Sequence, residues 1–194
     1  ISAPDVNNVS DVPLNFETER LSEKILKKLN LKAPKKDLND WRKLVAVSQK
    51  AKKEIKIGII GKYFETGDFI LSDSYISVIE SIKYACWRHK CRPIINWINS
   101  DIYEKDKNKL KELSDYDCLV VPGGFGSRGI EGKISAIQYA RENKIPFLGL
   151  CYGMQLATVE FARNICGLSD ANTTEINPDT KNSVIHIMPE QAEK

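Results

Sequence analysis

The ten residues Pro146-Phe147-Leu148-Gly149-Leu150-Cys151-Tyr152-Gly153-Met154-Gln155 restrict the fold more than any other part of the sequence. An apolar run ends in Gly-Leu-Cys, and a short turn leads at once into a helix-forming run, Met154 to Ala162. A buried strand that stops at a cysteine and turns directly into a helix is a nucleophile elbow. The turn lifts the sulfur clear of the sheet edge, and the helix N-terminus behind it supplies partial positive charge. That field favours the thiolate, which is the reactive species. Cysteines in apolar runs more often just fill a core. Here glycines two residues to either side favour the nucleophile, although several kinds of cysteine hydrolase share such an elbow.

The residues before this stretch say what sheet it belongs to. Ile55 to Ile60 reads as a strand with Gly61-Lys62 at its carboxyl end. Ser72 or Asp73 opens a long helix with Tyr75, Val78, Ile79, Ile82, Ala85 and Cys86 on one stripe. Pro93 to Ile98 is a second strand and Ile102 to Leu113 a highly charged helix. Asp117 to Val121 is a third strand, ending in Pro122-Gly123-Gly124-Phe125-Gly126, and a helix from about Gly132 to Asn143 follows. Strands apolar on both faces, alternating with helices, predict an α/β fold with an open, mostly parallel sheet flanked by helices. Right-handed crossovers place all the strand carboxyl ends along one edge, where ligands of such sheets bind. Gly61-Lys62, Gly123-Gly124 and Cys151 converge on that edge from distant parts of the sequence.

Ahead of this 55–194 domain the pattern changes. Residues 1–16, rich in Pro, Asn, Asp and Val, read as an extended tail. Residues 17–54 read as a helical linker. Glu17 to Leu29 carries Leu21, Ile25, Leu26 and Leu29 at helical spacing, and Ala33-Pro34 ends that helix. Asp37 is placed to cap a second helix with Leu38, Trp41, Leu44 and Val45 on one face. A chain of 194 residues that begins at Ile1 reads as one domain plus an appendage, cut from something longer. Its net charge of +3 is too slight to argue for nucleic acid, and the Lys-rich stretches at 24–36 and 50–56 read as solvated faces. No apolar run approaches a membrane span and no signal-peptide pattern is present. The five cysteines contain no C-x-x-C pair, and two histidines are too few for a zinc site. A reducing, cytoplasmic setting with no metal in this chain is the expectation.

Gly123-Gly124-Phe125-Gly126 lacks the Lys-Ser/Thr ending of a phosphate loop and could be a plain tight turn. Beside a thiolate it has a better use. Attack on an amide builds a tetrahedral oxyanion, which needs backbone N–H donors from two directions. Tyr152 can supply one and Gly124 the other, giving an oxyanion hole. Ser127 to Lys133, including Arg128, Gly129 and Glu131, then reads as a lid over the site.

The stretch 146–157 resembles the nucleophile motif of class I glutamine amidotransferases. Val121 to Lys133, Tyr139 to Asn143, Met154 to Ala157 and Ala171-Asn172-Thr173-Thr174-Glu175 narrow the resemblance to the glutaminase domain of the CTP synthase family. Pro4-Asp5-Val6, Val12-Pro13-Leu14 and Asp37-Leu38-Asn39-Asp40-Trp41 resemble the end of that family's synthetase domain and its linker, so the likeness runs over nearly all of the chain. The resemblance implies a glutamyl thioester on Cys151, with ammonia passed on for ATP-dependent amination of UTP to CTP. It implies that Gly124, Tyr152, Gly153, Met154, Gln155 and Glu175 line the glutamine site. It also implies Mg and ATP in the synthetase domain rather than here, activation by GTP, and a homotetramer.

Three departures qualify this. Tyr152 stands where leucine is more usual, Glu65 to Leu71 are extra residues, and the family's His-Pro-Glu motif is absent. His186-Ile187-Met188-Pro189-Glu190 has the wrong spacing for that motif and reads as a strand end, and His89 reads as surface. A chain without the general base is expected to be inactive on its own. The alternatives are another class I glutamine amidotransferase or cysteine hydrolase, and a non-catalytic glutaminase-like interaction module.

Overall fold

The computed structural model describes residues 2, 4–6, 8–32, 34, 36–61, 65–66, 69–70, 75–124 and 129–188. The chain divides into two compact units. One is Ile1–Lys53 with Cys86–Arg92, and the other is Glu54–Ala85 with Pro93–Lys194.

In the first unit, α1 (Val12–Thr18), α2 (Leu21–Lys28) and α3 (Asn39–Lys50) carry the fold. The expected extended tail is extended only in part. Asn8 caps a 3-10 turn at Val9–Asp11 through its side chain, and α1 follows directly. Pro13 fits there because the first turn of a helix has no use for its missing N–H. The expected helix from Glu17 to Leu29 is divided in two by Arg20, which takes φ 56° in the left-handed region. Asp37 acts as expected, its carboxylate accepting from Asn39 N–H at 2.9 Å, although Leu38 is the capping position. Trp41 donates its indole N–H to Ser10 O at 2.8 Å, tying α3 to the 3-10 turn.

The second unit is built on a four-stranded sheet. Its strands are β1 (Lys53–Gly61), β4 (Cys91–Asn99), β5 (Cys118–Val121) and β6 (Phe147–Gly149), in the order β4-β1-β5-β6. Two further strands, β2 (Glu65–Thr66) and β3 (Phe69–Ile70), pair antiparallel within the extra segment, Glu65 opposite Ile70. The pairings β1–β5 and β5–β6 are parallel, with Ile59 opposite Val120 and Val121 opposite Gly149. Ile57, Ile59 and Ile60 of β1 are buried, as a strand covered on both faces requires.

The helices are α4 (Ile76–Arg88), α5 (Asp101–Lys105), α6 (Ile130–Glu142) and α7 (Tyr152–Asn164). The start expected for α4 at Ser72 or Asp73, like Lys62, lies outside the described residues. The single helix expected over Ile102 to Leu113 is α5 followed by a 3-10 helix, Lys107–Asp115. Asp106 separates them with extended backbone and accepts from Asn108 N–H, the local competition that makes aspartate a poor mid-helix residue. Leu119, Val121, Ile134, Ile137, Leu156 and Val159 form the centre of the core between sheet, α6 and α7. Full burial of Leu156 alone contributes about 1.5–3 kcal/mol. Two short strands complete the unit, β7 (Asn172–Thr173) and β8 (Ser183–Ile185), paired parallel.

Candidate functional site

Cys151 sits between β6 and α7 with φ 50° and ψ −108°, and it is the capping residue of α7. Very few non-glycine residues hold such angles, and doing so costs about 1–3 kcal/mol. The strain is imposed from both sides. Leu150 N–H bonds to Val121 O at 2.9 Å, continuing the β5–β6 ladder to the last residue before the cysteine. Gly153 N–H bonds back to Leu150 O at 2.9 Å, while Met154 and Gln155 N–H both bond to Cys151 O at 3.1 Å. The chain therefore reverses within one residue, and that residue's side chain is thrown outward: Cys151 is exposed.

The flanking glycines make this turn possible by close approach. A Cβ on Gly153 would lie 2.0 Å from Val121 O, and one on Gly149 would lie 2.7 Å from the Gly153 carbonyl. Only a bare backbone lets α7 start this tightly against the sheet.

Gly123 and Gly124 leave the carboxyl end of β5, next to β6. A Cβ built on Gly123 would lie 3.5 Å from the Cys151 Cβ and 3.9 Å from its Sγ, so the two loops meet at the sulfur. Among the described residues, neither the Gly124 N–H nor the Tyr152 N–H has a hydrogen-bond acceptor. The Gly123 carbonyl is taken up by the Tyr75 hydroxyl, which donates to it at 3.2 Å. The Tyr75 ring is in turn packed on Trp97, with ring centroids 6.2 Å apart.

The other expected residues are placed as follows. Gly153 is buried under the elbow, Met154 is exposed and Gln155 half-buried on the first turn of α7. Tyr152 points its side chain into the core, where its hydroxyl has no hydrogen-bond partner among the described residues. Burial, and then the negative charge of Glu175, push that hydroxyl's pKa up to about 12. Glu175 itself is exposed in the turn after β7. The Lys133 ammonium is 5.7 Å from the centre of the Tyr152 ring, a buried cation directly under the nucleophile's neighbour.

The residues of the expected lid are placed only in part. Ser127 and Arg128 lie outside the described residues, but Gly129 is buried and caps α6 with φ 71°. Ile130 to Lys133 form the first turn of that helix. Glu131, read as part of the lid, pairs with Arg163 of α7 at 3.0 Å. A Cβ on Gly129 would lie 2.6 Å from Asp101 Oδ1 and from Ser100 Oγ, and Gly132 N–H bonds to Glu104 at 3.3 Å.

Both histidines are exposed. His186 follows β8, exposed, with Nδ1 2.8 Å from Ile187 O. His89 is exposed in the turn after α4, within the first unit. Among the described residues no hydrogen bond joins a histidine to Cys151. No group of three or more His, Cys, Asp or Glu side chains among them could hold a metal ion. No described helix is long and apolar enough to cross a membrane.

Sequence reasoning missed Tyr75 and Lys133. Tyr75 was one member of an apolar helical stripe, and Lys133 was read only as the end of the lid and of the family motif, not as a buried cation. A tyrosine opening a helix at the carboxyl edge of the sheet was the available signal for the first. Nothing in the sequence marked the burial of the second.

The profile of the class-I glutamine amidotransferase family matches residues 70–190. The CTP synthase of Carboxydothermus hydrogenoformans is 49% identical over 193 residues, covering 100% of this chain and 35% of its own length. That of Methanocaldococcus jannaschii is 46% identical over 198 residues, covering 100% of this chain and 36% of its own. The chain thus spans about a third of the length of the curated relatives it matches. A solved structure described as Trypanosoma brucei CTPS, glutaminase domain with bound acivicin, superposes with a TM-score of 0.63 at 36% identity. The superposition covers 70% of this chain and 50% of that one.

Proposed function

Because the chain belongs to the class-I glutamine amidotransferase family, we propose that it is the glutamine-hydrolysing part of a CTP synthase, with Cys151 as the nucleophile. The Cys151 thiolate adds to the carboxamide carbon of glutamine, and the carbonyl π electrons move onto oxygen. The N–H groups of Gly124 and Tyr152 receive that oxyanion. Its collapse breaks the C–N bond, the nitrogen leaves as ammonia after taking a proton, and a γ-glutamyl thioester remains. Water then cleaves the thioester to glutamate and restores the thiol. Glutamine is held by Gly124, Tyr152, Gly153, Met154, Gln155 and Glu175.

The observation that carries this reading is the exposed cysteine held at φ 50° on a helix N-terminus, against a loop with an unused N–H. Such strain persists where function requires it. The relatives' shared description, CTP synthase, supports the wider reading; in it the ammonia aminates UTP to CTP with ATP and Mg, outside the stretch this chain spans, and we propose GTP activation and a homotetramer for the whole protein. The five free cysteines agree with a reducing, cytoplasmic setting. Neither histidine is bonded to the sulfur, so the 194 residues alone should turn over glutamine slowly.

The test is Cys151→Ala in the full-length protein. Glutamine-dependent CTP formation should vanish while ammonia-dependent formation persists. Glutamine hydrolysis surviving in that variant would remove the reading.

A further inference from the structure

The hydroxyl of Tyr75 and the N–H of Gly124 address the two ends of one peptide bond. Tyr75 Oη donates to Gly123 O at 3.2 Å, and Gly123 O belongs to the same planar unit as Gly124 N–H. No peptide bond in the described chain is cis. In a trans peptide the C=O and N–H point in opposite directions. Fixing the carbonyl towards Tyr75 therefore fixes the Gly124 N–H away from it, and the peptide lies against Cys151.

The two glycines do not themselves select this orientation. Glycine on both sides of the bond leaves no Cβ to resist a rotation of the whole peptide plane. A flipped peptide would present the Gly123 carbonyl oxygen where a donor is needed, and two oxygens of like charge would face each other. A site built on Gly-Gly needs something outside the loop to choose between the two states.

We infer that Tyr75 is a positioning residue: its hydrogen bond to Gly123 O, with its ring braced on Trp97, holds the Gly123–Gly124 peptide so that Gly124 N–H is presented to the oxyanion. This rests on the reading of Cys151 and Gly124 given above. Tyr75 touches no reacting atom. It acts on the population of the competent peptide orientation, and so on the stabilisation of the tetrahedral intermediate. Access to the sulfur is untouched.

The separation of those two effects supplies the test. Alkylation of Cys151 by iodoacetamide displaces iodide at carbon and forms no oxyanion, so it reports only on thiolate content and access. Glutamine hydrolysis needs the donor as well. In the full-length protein, Tyr75→Phe should lower kcat for glutamine roughly tenfold, well short of the 10²–10³ lost with a direct oxyanion donor, with KM little changed. The iodoacetamide rate and its pH profile should remain those of the parent, as should ammonia-dependent synthesis. An unchanged glutamine kcat overturns the inference. So does a parallel fall in alkylation and hydrolysis, which would mean that the hydroxyl merely supports the elbow. Cys151→Ala run beside it separates the two levels: if that variant still hydrolyses glutamine, the nucleophile reading falls. If it is dead and Tyr75→Phe is unaffected, only the role of Tyr75 falls.

Discussion

Two helices of the sheet-bearing unit, α6 and α7, start at a residue with positive φ. At α6 the residue is Gly129, with φ 71°, buried against Ser100 and Asp101. At α7 it is Cys151, with φ 50°, exposed to solvent. Glycine takes such angles at little steric cost, and cysteine does not. The first start is solved by residue choice, as a turn with no other duty would be. At the second, the position that most needs glycine is given to a side chain, and the glycines are displaced to 149 and 153. The difference separates a turn that serves the fold from one the fold is made to serve.

The harshest way to break the comparison is at a displaced glycine. Gly153→Ala puts a carbon 2.0 Å from Val121 O, backbone against backbone, with no flexible side chain to yield. A loss of about 3 kcal/mol is expected, at the upper end for overpacking. It would be read as a lower urea midpoint at unchanged m-value, with glutamine hydrolysis lost at the same time.

Exchanging the two capping residues sharpens it further, because opposite signs are expected. Gly129→Ala adds φ strain and a 2.6 Å contact with Asp101 Oδ1 and Ser100 Oγ, and should cost about 2 kcal/mol. Cys151→Gly releases about 1–3 kcal/mol of strain against about 0.5–1 kcal/mol of added chain entropy. It should leave an inactive protein about 1 kcal/mol more stable by equilibrium unfolding. Equal losses at both sites would mean that the Cys151 turn holds no strain.

The smallest effect lies just behind the elbow. Tyr152→Phe deletes a buried hydroxyl that has no hydrogen-bond partner among the described residues, so stability at neutral pH should hold or rise by up to about 1 kcal/mol. The pH dependence has a definite sign. The Tyr152 hydroxyl titrates near 12 folded but near 10 unfolded, so the unfolded state loses its proton first. Stability is full below about pH 10 and falls as pH rises towards 12. Tyr103, whose pKa burial also raises, contributes in the same direction. Urea unfolding across that interval should therefore show a shallower, not a flat, alkaline decline in Tyr152→Phe.

Legibility from sequence followed the same division. The elbow could be read because Gly-Leu-Cys-Tyr-Gly is a local pattern whose glycines have one main use. The sheet could be read because Ile57 to Ile60 and Leu119 to Val121 are apolar on both faces. What escaped depends on single backbone angles or on distant partners. Arg20 breaks a helix whose apolar spacing runs straight through it. Asp106 divides another, and β7 is too short to leave a periodic signal. Gly129 looked like part of a loop because the crowding by Ser100 and Asp101 comes from far along the chain. Tyr75 looked like core for the same reason: its partner, Gly123 O, is not local.

The parallel pairing of Val121 with Gly149 has a consequence for the life of the molecule before it is finished. Parallel neighbours cannot zip from a tight hairpin, and here the whole of α6 must be in place between them. A slip of one residue along β6 would carry the sulfur about 3.3 Å from its place. The geometry around Cys151 is thus complete only when the β5–β6 pairing is complete. The strained turn that exposes the Cys151 side chain therefore depends on a long-range pairing and not on the local sequence alone.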